Sequence, residues 1–203
     1  MNATTGAPLI LRARRRRATA WKNGGGLTRE IVAAPAGADL SHFDWRVSTA
    51  EVRRAGPFSS FPGVTRTLCV LAGELVLTVE GHAEMRLSPQ SAPLQFAADV
   101  PTHAEPVGGA VTDLNVMTRR TRFAAQLRRL EVGSSPLALH AQTTLIFALS
   151  DLVLSAAGAP FTLSRWDAAR FSGAAQCTVT GASDSSSVGA FYLIEISAAS
   201  SSR

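Results

Sequence analysis

Apolar and polar residues alternate with a period of two along most of this chain, and Gly, Pro, Asp or Ser interrupts the alternation every eight to twelve residues. Successive side chains of a strand point to opposite faces, so this rhythm predicts strands half-buried in an all-β sandwich or barrel. The predicted strands are 27–33, 45–52, 67–71, 74–79, 83–87, 111–118, 123–130, 145–150, 152–155 and 189–196. Helix has almost no support. Only 119–129 could form a turn or two, and Thr121 and Phe123 suit a strand equally well.

The pattern also repeats. "LCVLAGELVL" at 68–77 aligns with "LIFALSDLVL" at 145–154, matching Leu68 to Leu145, Leu75 to Leu152, Val76 to Val153 and Leu77 to Leu154. Both copies continue to a glycine in register, Gly81 and Gly158, and then to Phe96 and Phe171 in turn-like settings. A strand, a short acidic turn, a strand and a Gly turn make the meander of a small jelly roll. The duplication predicts two jelly-roll β-barrels packed in one chain: residues 1–120 carrying the motifs described below, and 121–203 in a structural role, with exchange of strands between the two left open.

Composition places the chain among globular proteins, since 46% of its 203 residues are hydrophobic and only 17% are charged. No apolar run approaches the ~20 residues of a membrane-spanning helix. Leu9-Ile10-Leu11 is too short for a signal-peptide core, so a cytoplasmic location is expected, with no membrane partner. Cys69 and Cys177 sit far apart in apolar strands and read as buried thiols. The net charge of +5 owes much to Arg12, Arg14, Arg15, Arg16 and Arg17. Such a run is more often a solvated strand end than a nucleic-acid arm, and no helix-turn-helix, zinc-finger or aromatic-basic signature accompanies it.

Candidate chemistry is sparse. His42, His82, His103 and His140 form no H-x-H pair, so no metal and no cofactor are expected; His103 with Glu105 is the weak exception. No G-x-S-x-G elbow supports a nucleophile. In "WKNGGG", 21–26, the lysine precedes the glycines and a strand follows, which excludes a phosphate-binding loop. Arg46 stands inside a strand, on one face with Ser48, Ala50 and Val52, and Arg66 opens an apolar strand after the turn "GPFSSFPG" at 56–63. Asp113, Asn115 and Met117 share a face of 111–118. A cation among apolar neighbours must be paired or bind something. Arg46 and Arg66 therefore either pair with Glu30, Glu51 or Asp113, or present guanidinium forks to a carboxylate ligand.

"WKNGGGLTREI" at 21–31, "FDWRVSTAEV" at 43–52, "GPFSSFPGVTRTL" at 56–68 and "DLNVMTRR" at 113–120 together resemble the HutD/Ves family of bacterial cupin-like proteins. The four motifs occur in order over roughly the first three-fifths of the chain. The sequence departs from the family pattern at Ala55, where an acidic residue is usual, at Ala98, where glycine is usual, and at Thr19-Ala20, which replace Met-Pro. The resemblance implies a bicupin without established enzymatic activity, associated with histidine utilisation, whose suspected ligands are small pathway acids such as N-formylglutamate or urocanate. The shared positions fall on Trp21, Lys22, Asn23, Arg46, Ser48, Phe61, Arg66 and Asn115.

From these residues a ligand site is expected on Lys22, Asn23, Arg46, Ser48, Arg66 and Asn115, shaped by Trp21, Gly24, Gly25, Gly26 and Phe61, with no catalytic residue. The partner would be a small anionic metabolite bound without turnover. The alternative is a metal-independent cupin isomerase, epimerase or lyase using Lys22, His103 or Glu51 as general base. A nucleic-acid or acidic-protein docking arm at 1–17 ranks last, and a homodimer through an exposed strand edge stays open.

Overall fold

The computed structural model describes residues 7–21, 23–182 and 189–199. Apart from one 3-10 turn at Ala13–Arg15, its regular elements are all strands. They form two compact units: one spans Arg16–Ala124, and the other joins Ala125–Ala198 to the N-terminal residues through Arg15.

In the first of these units the strands are numbered after β1 (Leu9–Leu11), which belongs to the other: β2 (Ala18–Ala20), β3 (Gly26–Ala34), β4 (Trp45–Val52), β5 (Gly56–Pro57), β6 (Val64–Val79), β7 (Met85–Leu87), β8 (Leu94–Ala97) and β9 (Thr102–Arg119). They hydrogen-bond in the order β2-β3-β4-β9-β6-β7, with β8 also on β6 and β5 on β9. The expected strands 67–71 and 74–79 are one continuous strand, β6, and 111–118 is the second half of the long β9. Val52, Leu68, Val70, Leu75, Leu77, Val79, Phe96 and Val111 pack together as the interior of this unit. Its even and odd positions change over within β6: Leu68 and Val70 face inward in the first half, Leu75 and Leu77 in the second. Pairing with β9 shifts register between Val70 and Ala72 and again between Ala72 and Glu74, so a bulge beside Gly73 (φ 82°) re-phases the strand.

The other unit contains β10 (Phe123–Glu131), β11 (Gly133–Leu139), β12 (Thr143–Ala148), β13 (Leu152–Ala156), β14 (Ala159–Leu163), β15 (Ala168–Ser172), β16 (Ala175–Gly181) and β17 (Ala190–Ala198). One sheet runs β1-β15-β12-β17-β10 and the other β11-β16-β13-β14. Its interior gathers Leu139, Ile146, Ala148, Leu152, Leu154, Ala169, Phe171, Phe191 and Leu193.

Both units use one pairing scheme. Leu75 opposes Leu87 as Leu152 opposes Leu163, and Arg66 opposes Phe96 as Thr144 opposes Phe171. The two phenylalanines thus lie on strands, not in turns. The sequence repeat holds over the second hairpin arm, but Leu145 belongs to the face opposite the interior, and Ile146 is the structural counterpart of Leu68. Leu149–Asp151 breaks the strand where β6 carries its bulge, and the one-residue difference is absorbed there.

Candidate functional site

The site follows from pairing in the middle of the larger sheet. Met117 of β9 opposes both Arg46 of β4 and Arg66 of β6; Asn115 opposes Ser48 and Leu68; Asp113 opposes Ala50 and Val70. These three rungs place Arg46, Ser48, Arg66, Asp113, Asn115 and Met117 on one face, the face of Leu68 and Val70. Trp45, Val47 and Thr49 are buried on the opposite face.

Arg66 is 7% exposed, and among the described residues its guanidinium makes no hydrogen bond and no ion pair within 4.0 Å. Aromatic rings surround it instead: its Cζ lies 4.9 Å from the Phe58 ring centroid, 5.6 Å from Phe61 and 5.9 Å from Phe96. The turn holding Phe58 and Phe61 is stapled by Phe58 N donating to Thr102 O and Phe61 N donating to Ala98 O, each at 2.9 Å. Burial brings the Arg66 pKa down to about 10, with Asp113 opposing the shift and Arg46 adding to it. Asp113 is 1% exposed, and burial raises its carboxyl to about 7 against the pull of Arg66, of the Asn115 amide and of the Ala50 N–H. Asn115 Nδ2 donates to Asp113 Oδ1 at 2.7 Å. Arg66 Nε, Asp113 Oδ2 and Asn115 Oδ1 are buried without a partner.

Arg46 differs from Arg66. Its Nε donates to Glu30 Oε2 at 2.8 Å and its Nη1 to Ser48 Oγ at 3.4 Å, so the ion-pair reading holds for Arg46 and fails for Arg66.

In "WKNGGG", Asn23 Oδ1 accepts from Gly25 N (3.0 Å), Trp21 N donates to Gly26 O (3.0 Å) and Gly24 N to Trp21 O (3.0 Å), closing a tight turn into β3. A Cβ on Gly26 would sit 2.3 Å from Glu51 O, which forbids any side chain there. Trp21 donates from Nε1 to Thr28 Oγ1 (2.7 Å) and meets Phe58 edge-on at 6.2 Å, so the turn buttresses the aromatic wall around Arg66. Asn23 is exposed and its carbonyl oxygen is used within the turn. Lys22 lies outside the described residues.

The structure thus gathers Arg46, Ser48, Arg66 and Asn115 into one cluster, with Trp21 and Phe61 in its support. Sequence reasoning took Asp113 only as a possible partner for the arginines and missed the Phe58 and Phe96 rings; Phe58, three residues before Phe61 in the same turn, was the available signal. Glu51 is held by Arg29 (3.8 Å) and Arg53 (2.7 Å), and His103 is exposed. No group of three or more His, Cys, Asp and Glu among the described residues is placed to hold a metal ion. In the other unit Thr144, Phe191 and Leu193 occupy the pairing positions of Arg66, Asp113 and Asn115. A half-open depression of about 250 Å³ in that unit, lined by Ala7, Leu9, Arg170 and Ser172, offers neither carboxylate nor aromatic ring.

The family model described as HutD matches residues 13–187. An uncharacterized 21.2 kDa protein in the hutC 3' region of Pseudomonas putida is 37% identical over 145 residues, 71% of this chain and 75% of that protein. The structure is similar to that of HutD from Pseudomonas fluorescens (TM-score 0.79, 30% identity, 96% of this chain and 100% of that one). A conserved protein of unknown function from Pseudomonas aeruginosa gives 0.83 at 30% identity, covering 95% and 100%. Likeness in fold extends to YlbA of Escherichia coli, with a TM-score of 0.73 at 11% identity over 95% of this chain and 91% of that one.

Proposed function

Since the chain belongs to the HutD family, with two cupin-like units in one chain, we propose that it binds a small carboxylate metabolite at Arg66 without transforming it, and so modulates histidine utilisation. One observation carries this reading: a buried guanidinium ringed by three phenylalanines with no carboxylate of the described residues on its fork. Desolvation of a cation is expensive, and a ligand carboxylate accepting two parallel N–H bonds would offset it. The place of the Pseudomonas putida relative in the hutC region supports the metabolic context.

Urocanate and N-formylglutamate are the first acids to test. A ligand at about 100 times its Kd stabilises by about 2.7 kcal/mol, a rise of roughly 5–10 °C in Tm for a protein of this size. The wild type should show that rise with one of them. Arg66→Met keeps the volume and removes the fork, and should show none. A rise of equal size in both proteins would refute the assignment.

A second reading, a metal-independent cupin enzyme, is favoured by a single feature: the Asp113 carboxyl, at about 7, titrates where a general acid or base works best. Chiral chromatography with mass detection after long incubation with the same acids separates the two, because it resolves isomers and epimers as well as cleavage products, and binding alone leaves the acids unchanged.

A further inference from the structure

The charges on the interior face of the first unit do not all pair. Arg46 and Glu30 form an ion pair at 2.8 Å and cancel. Arg66 and Asp113 remain, both buried, on neighbouring strands β6 and β9, and among the described residues neither has an ion-pair partner within 4.0 Å. The other groups facing Asp113 are neutral: Asn115 on β9, and the Ala50 N–H and Ser48 hydroxyl on β4. The turn before β6 and strand β8 add only the Phe58, Phe61 and Phe96 rings.

Charge balance decides what an arriving anion requires. With Asp113 ionised, Arg66 already has its counter-charge, and a ligand carboxylate on its fork would leave two anions for one cation inside an aromatic wall. Water screens little there, so the surplus charge is costly. With Asp113 protonated, ligand and guanidinium cancel. The hydrogen bonding accommodates that proton: Asp113 Oδ2 and Asn115 Oδ1 are both buried acceptors without a partner, and a proton on Oδ2 makes it a donor for the amide oxygen. The carboxyl also holds a proton near neutrality, since burial carries its pKa to about 7.

We infer that Asp113 takes up a proton when a carboxylate binds Arg66, so that the site binds its anion and a proton together. This rests on the proposed function and adds a residue that tunes affinity without touching the ligand. The sign follows from linkage. At pH values where Asp113 is already protonated the affinity is constant, and above them it falls by up to about tenfold per pH unit, because the proton must be taken from solution. By reciprocity, the bound anion raises the Asp113 pKa.

The test is titration calorimetry of the full chain with benzoate and N-formylglutamate, neither of which titrates between pH 6 and pH 9. From pH 6 to pH 8.5 the affinity of the wild type should fall about tenfold or more. Heats measured at pH 8 in two cationic buffers of different ionisation enthalpy should report uptake of more than about half a proton per anion bound. Asp113→Asn is neutral at every pH, so its affinity should vary less than about threefold over the same range, with uptake near zero. Should that variant fail to fold, the proton count of the wild type decides. Binding that is lost in Arg66→Met but takes up no proton in the wild type would overturn the inference and leave the carboxylate reading standing, as would uptake that persists in Asp113→Asn. Binding indifferent to Arg66→Met would overturn both, as would no binding of either acid at millimolar concentration.

Discussion

Asp113 is the residue on which stability and function meet. Its carboxyl titrates at about 7 when folded, against an ordinary 3.8, so between these values the folded chain keeps a proton that the unfolded chain has lost. Stability must then fall as pH rises through that window and level off above it, by up to about 4 kcal/mol. The groups facing Asp113 are Arg66 by charge and Asn115 and the Ala50 N–H by hydrogen bonding, and all three limit the loss. Urea unfolding at pH 5 and pH 8 should show this decline in the wild type and a much flatter profile in Asp113→Asn; parallel profiles would remove the burial argument. Alternation put Arg46 on one face with Ser48 and Asp113 on one face with Asn115, since a strand's period fixes which side chains share a face, and the family resemblance joined Arg66 to them. The different fates of the two arginines were not legible there. Glu30 reaches Arg46 through the pairing of β3 with β4, a contact of two distant segments, whereas among the described residues no carboxylate so placed reaches Arg66.

At the scale of the element, β6 shows how one glycine sets the site. The strand must aim Arg66, Leu68 and Val70 inward and then Leu75 and Leu77 as well, which a regular period of two cannot do. Gly73 at φ 82° makes the change, with its absent Cβ 3.0 Å from Ala110 O and 3.2 Å from Val111 Cγ2. Gly73→Ala combines a left-handed backbone with this close approach and should cost about 1–3 kcal/mol, measured as a lowered urea midpoint. An unchanged midpoint would show that the bulge relaxes freely. The same geometry explains why the repeat was read correctly in kind and incorrectly in detail. A fixed offset pairs Leu68 with Leu145, yet only Ile146 occupies the equivalent interior position, because bulge and strand break differ by one residue.

Across the whole molecule, the arginine run has a structural use. Arg12 donates from Nη1 to Asp167 (2.8 Å) and to Thr162 O (2.6 Å), Ala13 N donates to Asp167 Oδ1 (2.7 Å), and β1 pairs with β15. Burial would raise the Asp167 carboxyl, but the Ala13 N–H, Arg12 and the Ser164 N–H together hold it below its ordinary value. Asp167→Ala should therefore lower stability by about 1–3 kcal/mol, whereas Ala at the exposed Arg14, Arg15 or Arg17 should change it by less than about 0.5 kcal/mol in urea titrations. Equal effects at all four positions would dismiss the clamp. No helix of the described residues is long and apolar enough to cross a membrane. The all-β class, the bicupin fold, the family and the faces of the central strands were readable in the chain before folding, because each rests on local period and motif order. Tertiary structure alone decided that β1 joins the distant β15, that Phe58, Phe61 and Phe96 converge on Arg66, and that Asp113 and Asn115 keep two acceptors unmet. Those facts depend on which strands become neighbours, and pairing between segments far apart in sequence leaves no periodic trace in either of them.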